Sequence, residues 1–576
     1  MIEILKASAG SGKTFNLARA YIRLALSGKD PFSYRHILAV TFTNKATDEM
    51  KRRILKELYV LAVTPEKSPY YKDFVPSMFP SAEALQARSD SQLSGILHDY
   101  SAFAVSTIDR FFQRALKAFA REIGQFASYQ VELDKESLVD ESVDRILDEL
   151  TEADRNLLDW LADSVRDDLQ KGQRFDLESR LREIALSLRS GDHDEAVARY
   201  GIDEKTVFSR KNLSEVRQCC RRVTESFEEK VRDAAGAVLD VLRDHRVAAE
   251  DSNRGFLKAL YAYREPDPRA AVKPPTDSFL TKAADSSKWF AKSKDRFRLE
   301  LEGSLEGPLD AFCALFDLPY KEYRTALLVR DQVYGLGIAG ELRRAFTDIQ
   351  KEKNVISIDD SNTILKDIID GCDAPFVYEK LGVRYEDFLL DEFQDTSGVQ
   401  WENFRPLLEN SVSGGFGNLV VGDVKQSIYR WRGSDWKLLD SRLQDNFGPG
   451  VGSVRVLDGN YRTLPGIVDF NNRFFTFAAG ELDRLLGEDP EAGDSISAIY
   501  RDVRQKPCIE DTRPGSVDVV FCSDQLDETV ASIREVIDAG GTYGDIAVLV
   551  RGNAEGSLVA GRLVAEGIPV ISDDSL

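Results

Sequence analysis

The sequence predicts an α/β fold, built on a parallel sheet and interrupted by a large helical insertion. Short apolar runs alternate with helix-period segments in residues 2–122 and again in 387–458, the pattern of parallel strands with crossover helices. Between them, from about 130 to 350, the apolar spacing is almost wholly helical. A second strand–helix alternation begins at 516, so more than one domain is expected of these 576 residues.

The first part of the sheet begins with the apolar run at 2–5. This run leads into a glycine-rich loop and then a helix whose apolar residues follow 3,4 spacing. We expect a buried strand at 36–42 followed by a helix at 44–62, and another strand at 102–107 followed by a helix at 108–122.

The α/β pattern resumes after the helical segment, with strands predicted at 387–391, 418–423 and 454–458. A strand has just ended where the sequence stops, so we expect the chain to be a fragment of a longer protein. The last part is predicted to contain a strand at 516–521, a strand at 545–551, a helix from about 554 and a short strand at 568–572.

Composition excludes several classes of protein. Forty-three per cent hydrophobic residues indicate a globular chain, and a formal net charge of −21 means that any nucleic-acid site must be a local basic groove. Six cysteines without C-x-x-C spacing and four histidines argue against a zinc or iron–sulfur site. The absence of a long apolar run or a signal peptide predicts a cytoplasmic protein without membrane contact.

The loop ASAGSGKT at 7–14 is a candidate phosphate-binding loop. Placed between a strand and a helix, its backbone N–H groups and the positive helix end bind phosphate. Lys13 would reach the β- and γ-phosphates of ATP and Thr14 would ligate Mg²⁺. Ala7 replaces the usual first glycine, so a loop that only resembles a phosphate cradle is the alternative. The predicted nucleotide contacts are Ala9, Gly10, Ser11, Gly12, Lys13, Thr14 and Phe15.

Two carboxylates at a distant strand end complete the predicted ATP site. Asp391 ends an apolar strand and would hold the magnesium ion, with Thr14 as the second metal ligand from the chain. Glu392 is placed to orient or deprotonate the attacking water. Such a strand end is common by itself, and only together with Lys13 does it indicate hydrolysis of a nucleoside triphosphate.

Phosphoryl transfer also needs positive charge on the γ-phosphate. Arg462 in GNYRT and Arg432 in YRWRG are the candidates, and Tyr461 could stack on the adenine ring. A surface salt bridge is the alternative for Arg462.

Aromatic and polar residues at strand ends predict a site for a single nucleic-acid strand. They lie in TFTNK (41–45), in STIDRFFQR (106–114) and in the segment that follows Gln426. Phe111 and Phe112 are as well explained by a place in the core. The predicted DNA contacts are Thr41, Phe42, Thr43, Asn44, Thr107, Arg110, Tyr429 and Trp431.

Seven segments resemble, in order, the motifs of UvrD/Rep-type superfamily 1 DNA helicases. The opening LKASAGSGKTF and the TIDRFF segment are most similar to the AddA/RecB branch, the helicase–nuclease subunits of double-strand-break repair. The segments are ASAGSGKT, TFTNKATDEMKRRI, STIDRFFQRALK, LLDEFQDTS, VVGDVKQSIYRWRG, LDGNYRT and IAVLVRGNA.

The resemblance implies a domain arrangement. Residues 1–125 and 346–458 would form the RecA-like domain 1A, residues 126–345 the helical insertion 1B, and residues 459–576 the start of a second RecA-like domain, 2A.

The resemblance also implies roles for individual residues. Lys13 and Thr14 would bind phosphate and Mg²⁺, and Asp391 and Glu392 would act on the metal and the water. The remaining implied roles are γ-phosphate sensing for Gln426, γ-phosphate binding for Arg462, adenine stacking for Tyr461 and single-stranded DNA contact for Phe42 and Trp431.

The sequence therefore predicts an ATP-dependent 3′–5′ DNA helicase for repair or recombination. It would bind single-stranded and duplex DNA, with ATP and Mg²⁺ as cofactors. The alternatives are an AddA/RecB-like helicase–nuclease that works with a second subunit, a non-motor ATP-binding protein of DNA repair, and a small-molecule kinase. The glutamine motif expected before residue 7 is absent, Asp109 replaces a frequent histidine, and the last 2A motifs are missing, so this segment alone is not expected to unwind DNA.

Overall fold

The structure is a computed structural model whose contacts divide the chain into two units. One comprises Met1–Ser8 and Gly12–Leu457, and the other comprises Ala9–Ser11 and Asp458–Leu576. The residues described are 2–28, 30–119, 130–132, 135–170, 176–188, 192–267, 270–291, 294–369, 374–430, 433–447, 452–487, 495–511 and 513–572.

A six-stranded parallel sheet organises the first unit, in the order β3-β2-β6-β7-β1-β8. This confirms the predicted α/β fold. A separate parallel pair joins β4 to β5. The strands are β1 (Ile2–Ala7), β2 (Ile37–Thr41), β3 (Val105–Thr107), β4 (Gln130–Glu132), β5 (Val355–Ser357), β6 (Asp387–Leu390), β7 (Asn418–Gly422) and β8 (Gly452–Leu457).

The central strands of the sheet are buried on both faces, whereas the edge strand β8 is largely exposed. Strands β2 and β7 are buried along their whole length. Successive residues point to opposite faces, so Leu389 and Leu390 enter two different hydrophobic cores. Burial of each such leucine stabilises the fold by roughly 1.5–3 kcal/mol.

Three of the helices before the insertion follow sheet strands along the chain. In the first helix Leu17, Tyr21 and Ala25 are fully buried, as their 3,4 spacing predicts. Two of the helix starts are capped by threonines, since Thr43 accepts from Ala46 N at 3.1 Å and Thr107 from Arg110 N at 3.3 Å. These helices are α1 (Lys13–Ser27), α2 (Asn44–Val63), α3 (Tyr71–Phe74), α4 (Ala82–His98) and α5 (Ile108–Ala118).

The segment between β4 and β5 is helical, as predicted. One of its cores is rich in aromatic residues, with the rings of Phe227 and Tyr323 stacked at 4.5 Å. Its helices are α6 (Lys135–Glu149), α7 (Arg155–Gln170), α8 (Leu177–Leu188), α9 (Asp192–Tyr200), α10 (Glu204–Val207), α11 (Arg210–Asp244), α12 (Leu260–Arg264), α13 (Asp277–Ala283), α14 (Asp295–Ala314), α15 (Leu318–Leu336) and α16 (Ala339–Lys353).

Four further helices complete the first unit and pack around the strands that return to the sheet. They bury Trp401 and Phe404 beneath the sheet, in the same core as Phe111 and Phe112. The helices are α17 (Ile358–Ile369), α18 (Ala374–Leu381), α19 (Gly398–Ser413) and α20 (Leu443–Phe447).

The second unit contains a short parallel pair and a small core around Val530, Ile533 and Leu563. The helix predicted from about 554 is confirmed as α24. The elements are β9 (Gly459–Asn460), β10 (Lys506–Pro507), α21 (Pro465–Leu486), α22 (Ile496–Ile499), α23 (Gln525–Asp538) and α24 (Asn553–Ala565).

Three predicted strands of the second unit are wrong in this structure. Residues 516–521, 545–551 and 568–572 form no strand. Phe521 and Leu549 are 96% and 94% exposed, so these apolar runs lack the neighbouring chain that a ladder requires. An alternating pattern shows that a segment suits a sheet. The pattern does not provide the neighbouring strand with which the segment would form hydrogen bonds.

No helix in the described part of the chain has the length and apolar character needed to cross a membrane.

Candidate functional site

The end of the glycine loop turns directly into α1. Gly12 has φ of +86°, a left-handed conformation that favours glycine, and its carbonyl accepts hydrogen bonds from the backbone and side-chain nitrogens of Asn16, each at 3.0 Å. Lys13 and Thr14 therefore form the first turn of a helix, where the backbone N–H groups carry partial positive charge.

The structure brings Lys13, Glu392 and Gln426 together. Lys13 Nζ lies 2.9 and 3.0 Å from the two carboxylate oxygens of Glu392 and 3.5 Å from Gln426 Oε1. Since 379 positions separate the lysine from the glutamate, this contact exists only because β1, β7 and β6 are neighbours in the sheet. A cation, a carboxylate and an amide thus share one site.

Asp391 lies beside this site as a nearly buried carboxyl, 8% exposed. Burial, and after it the charge of Glu392, raises the pKa of Asp391 to about 7, while Lys13 opposes the shift. Glu392 has φ of +48°, a left-handed conformation rare outside glycine that clusters at functional sites. The strained turn places both carboxyls at the strand end.

This donor set fits a magnesium ion shared with a phosphate ligand. Among the described residues no group of three or more His, Cys, Asp or Glu side chains is arranged to hold a metal. Mg²⁺ in nucleotide sites is commonly held by one or two protein ligands plus phosphate and water, and the predicted ligands Asp391 and Thr14 carry oxygen atoms of the kind it binds.

Sequence reasoning missed several polar residues that surround Glu392. Gln394 is 1% exposed and donates from Nε2 to Glu392 Oε2 at 2.8 Å. Asp423 accepts from Gln426 Nε2 at 2.6 Å and pairs with Lys425 at 2.7 Å. The signal was available in DEFQD and GDVKQ, where polar side chains interrupt apolar strand ends.

Asp395 is another acidic group near Glu392 that the sequence did not single out. Burial raises the pKa of Asp395 to about 6, and the charge of Glu392 adds to this shift. Three acidic side chains, those of Asp391, Glu392 and Asp395, are therefore grouped near Lys13.

The aromatic candidates for nucleic-acid contact include one adjacent pair. The ring centroids of Phe42 and Tyr429 lie 4.8 Å apart with their planes at 34°. Both rings are half-buried, while Thr43, Asn44 and Arg110 are exposed. The turn after β2 and the segment after Gln426 thus present aromatic surface side by side.

The structure corrects the expectation for Thr41. Its side chain is fully buried, and its hydroxyl lies 2.6 Å from Thr47 Oγ1 and donates to the Thr43 carbonyl at 3.1 Å. Thr41 therefore holds the turn and offers no side-chain contact to DNA. Phe111 and Phe112 lie in the core, the alternative given for them.

The remaining predicted residues are placed as follows. The hydroxyls of Thr43 and Thr107 cap α2 and α5, and Phe15 packs against Tyr70 with ring centroids 4.7 Å apart. Trp431 and Arg432 lie outside the described residues.

The second unit holds Tyr461 and Arg462 together with loop residues Ala9, Gly10 and Ser11. Gly10 has φ of +74°, and its carbonyl accepts from Tyr461 N at 2.9 Å. Tyr461 is 64% exposed, so its ring face is available for stacking.

The sequence of the chain is similar to those of known proteins. A model described as the UvrD/REP helicase N-terminal domain matches residues 3–447. An ATP-dependent helicase/nuclease subunit from Streptococcus suis is 23% identical, over 99% of this chain and 46% of that protein. The RecB subunit of the RecBCD enzyme from Escherichia coli is 24% identical, over 82% of this chain and 38% of that protein. The chain thus spans less than half the length of these relatives.

Proposed function

The chain belongs to the UvrD/REP helicase family, and from that membership we propose that the whole protein is an ATP-driven motor moving 3′ to 5′ along single-stranded DNA. The observation that carries the proposal is the meeting of Lys13 with both Glu392 and Gln426. Gln426 opens the segment that ends in Tyr429, so one stretch of chain serves nucleotide and nucleic acid.

The proposed ATP chemistry assigns one task to each side chain. Lys13 and the N–H groups of the glycine loop bind the β- and γ-phosphates. Asp391 and Thr14 hold Mg²⁺, which neutralises charge on the phosphates when bound. Glu392 accepts the proton of the attacking water, and Arg462 adds positive charge at the γ-phosphate.

The proposed coupling to DNA runs through the segment from Gln426 to Tyr429. Contact of Gln426 with the γ-phosphate fixes one end of the segment, and the Tyr429 ring at its other end lies against Phe42. Stacking of a base on an aromatic ring contributes roughly 1–3 kcal/mol to binding, so a shift of Tyr429 changes the affinity for the DNA strand.

We also propose a role in DNA repair or recombination, in which the protein works with a partner subunit. One relative is named as part of a helicase/nuclease and the other as part of the RecBCD enzyme. Unwinding of duplex DNA and any nuclease activity are proposals for the whole protein.

ATP turnover by the full-length protein tests the motor. We expect oligo(dT) to stimulate hydrolysis, and Lys13→Ala to lower the stimulated kcat by about 10²–10³-fold because the phosphate loses its cation. The control, Lys67→Ala, changes an exposed lysine and should turn over ATP normally. Turnover indifferent to DNA would favour a non-motor ATPase, and undiminished turnover by Lys13→Ala would overturn the site.

Polarity is measured with streptavidin bound to one end of an oligonucleotide. We expect ATP-dependent displacement from the 5′ end and none from the 3′ end. The opposite result would contradict 3′-to-5′ movement while leaving the ATP site intact.

A further inference from the structure

The buried side chain of Gln394 links Glu392 to the segment that carries Gln426. Gln394 donates from Nε2 to Glu392 Oε2 at 2.8 Å and to Asp395 Oδ2 at 3.4 Å. Its Oε1 accepts from the backbone N–H of Asp423 at 2.9 Å. At 1% exposure it has almost no contact with water, so these partners satisfy its amide.

The orientation of this amide is determined by its partners. The backbone nitrogen of Asp423 can only donate, so the oxygen of the Gln394 amide must face it. The nitrogen then faces Glu392, and a hydrogen bond to an ionised carboxylate is among the stronger kinds. The amide therefore restricts Oε2, while Lys13 contacts both carboxylate oxygens, Oε2 at 2.9 Å and Oε1 at 3.0 Å.

The same glutamine connects Glu392 to the segment that carries Gln426. The carboxylate of Asp423 accepts a hydrogen bond from Gln426 Nε2 at 2.6 Å, and Ser427 Oγ donates to the Gln394 backbone carbonyl at 3.2 Å. Two residues, Gln394 and Asp423, thus link the carboxylate to the amide of Gln426.

We propose that Gln394 is a positioning residue for ATP hydrolysis, which orients the Glu392 carboxylate and makes its geometry depend on residues 423–427. The inference rests on the proposed function, because it assigns a task only if Glu392 activates water. Gln394 acts through Glu392 and needs no contact with the nucleotide.

Glycine at position 422 provides an independent test of this packing. A Cβ there would lie 2.6 Å from Gln394 Oε1, 2.7 Å from Leu439 Cδ2 and 3.3 Å from the backbone nitrogen of Phe393. Gly422→Ala would therefore displace the glutamine without changing its chemistry.

Single-turnover ATP hydrolysis by the full-length protein with oligo(dT), together with binding of a fluorescent ATP analogue, tests the proposal. We expect Gln394→Met to lower the hydrolysis rate by about 10²-fold, the cost of a misplaced catalytic group, with nucleotide affinity unchanged. Gln394→Glu keeps the volume and the acceptor for Asp423, and at a pH high enough to ionise a carboxyl buried beside Glu392 it sets an anionic oxygen against that residue. At that pH the hydrolysis rate should fall by a similar factor relative to wild type. The hydrolysis rate of Gly422→Ala should lie between the rates of these variants and that of wild type.

Gln400→Met is the matched control. Gln400 is also a buried glutamine with two partners, accepting from Ser397 N at 3.0 Å and donating to Asp109 at 3.0 Å, but it does not touch Glu392. We expect this variant to lose stability and keep its hydrolysis rate.

Three results would overturn the inference: hydrolysis by Gln394→Met within about threefold of wild type, weakened nucleotide binding with an unchanged rate, or an equal loss in Gln400→Met. If Gln394→Met does not fold, Gln394→Glu decides, because it preserves volume. A wild-type protein that hydrolyses no ATP would instead contradict the proposed function.

Discussion

The buried carboxyl of Asp391 shows that the candidate site groups acidic side chains at a cost in stability. Its carboxyl is nearly buried beside a second acid, Glu392, and its pKa rises to about 7. An acid whose pKa is higher in the folded than in the unfolded state makes folding less favourable as pH rises between the two values. The penalty is present above an unfolded pKa of about 3.9 and is complete above pH 7.

We therefore expect Asp391→Asn to be more stable than wild type at pH 8, by about 1–2 kcal/mol, and inactive in ATP hydrolysis. Urea unfolding without Mg²⁺ or nucleotide measures the gain, which should shrink as pH falls toward 4. Asp90→Asn alters an exposed acid on α4 and should change neither quantity. Equal stability of Asp391→Asn and wild type at pH 8 would contradict the assigned burial penalty.

The paired rings of Phe42 and Tyr429 lead to a second prediction. If bases stack there, Phe42→Ala and Tyr429→Ala should each weaken binding of oligo(dT) by roughly 1–3 kcal/mol, measured by fluorescence anisotropy. Tyr59→Ala removes a tyrosine that is 59% exposed on α2 and should bind normally. An effect of the Tyr59 change as large as the others would show that general loss of aromatic surface, rather than this pair, explains the weakening.

Sequence reasoning found the charged centre of the site but not the residues that orient it. Lys13 and Glu392 follow apolar strands, and the ends of parallel strands meet at one sheet edge, so their proximity could be predicted. Gln394 was visible as a polar residue in DEFQD, but its partners could not be predicted, because a backbone N–H and a carboxylate are brought to it only by the folded turn. Thr41 was misassigned because sequence does not show which side chain of TFTNK points inward.

The short helix α22 leads to a third prediction. Asp483 of α21 accepts from Ser495 Oγ at 2.6 Å, Ile496 N at 2.7 Å and Ser497 N at 3.0 Å, so it caps α22 from a neighbouring helix. Hydrogen bonds from Ser495 and Ser497 lower the pKa of Asp483 to about 2.

A depressed acid pKa gives stability that is present above the unfolded pKa and lost as pH falls through the folded one. Amide hydrogen exchange in α22 should therefore stay slow from neutral pH down to about 4, and protection should vanish as pH approaches 2. Asp483→Ala should show fast exchange at every pH, while Asp483→Asn, which keeps one acceptor, should be intermediate and insensitive to pH. Protection that is unchanged in Asp483→Ala would contradict the capping role.

Strands were predicted correctly where both faces of the segment are buried in the sheet. The runs that became β2, β6 and β7 are mostly apolar, and each has a neighbour on both sides in the sheet. The run at 516–521 carries an equally strand-like pattern, yet Phe521 is 96% exposed. Periodicity records which face a residue prefers, whereas a strand also depends on hydrogen-bonding partners elsewhere in the chain.

The net charge of the chain limits where the proposed DNA site can lie. A net charge of −21 repels a phosphate backbone at long range, so attraction must come from local cations. Arg110 is exposed at the start of α5, and it lies near Lys51 of α2, whose pKa is lowered by burial and then by the charge of Arg110. Two neighbouring cations at the edge of the sheet are a suitable place for a phosphate.

The salt dependence of binding tests this local attraction. Each phosphate contact to single-stranded nucleic acid contributes about −0.7 to the slope of log K against log salt concentration, because a condensed counterion is released. Arg110→Ala should weaken binding of oligo(dT) and make the slope shallower by about 0.7, whereas Lys211→Ala, an exposed cation on α11, should leave it unchanged. An unchanged slope in Arg110→Ala would exclude this phosphate contact. Equal changes in both variants would mean that net charge, not a local groove, governs binding by this acidic chain.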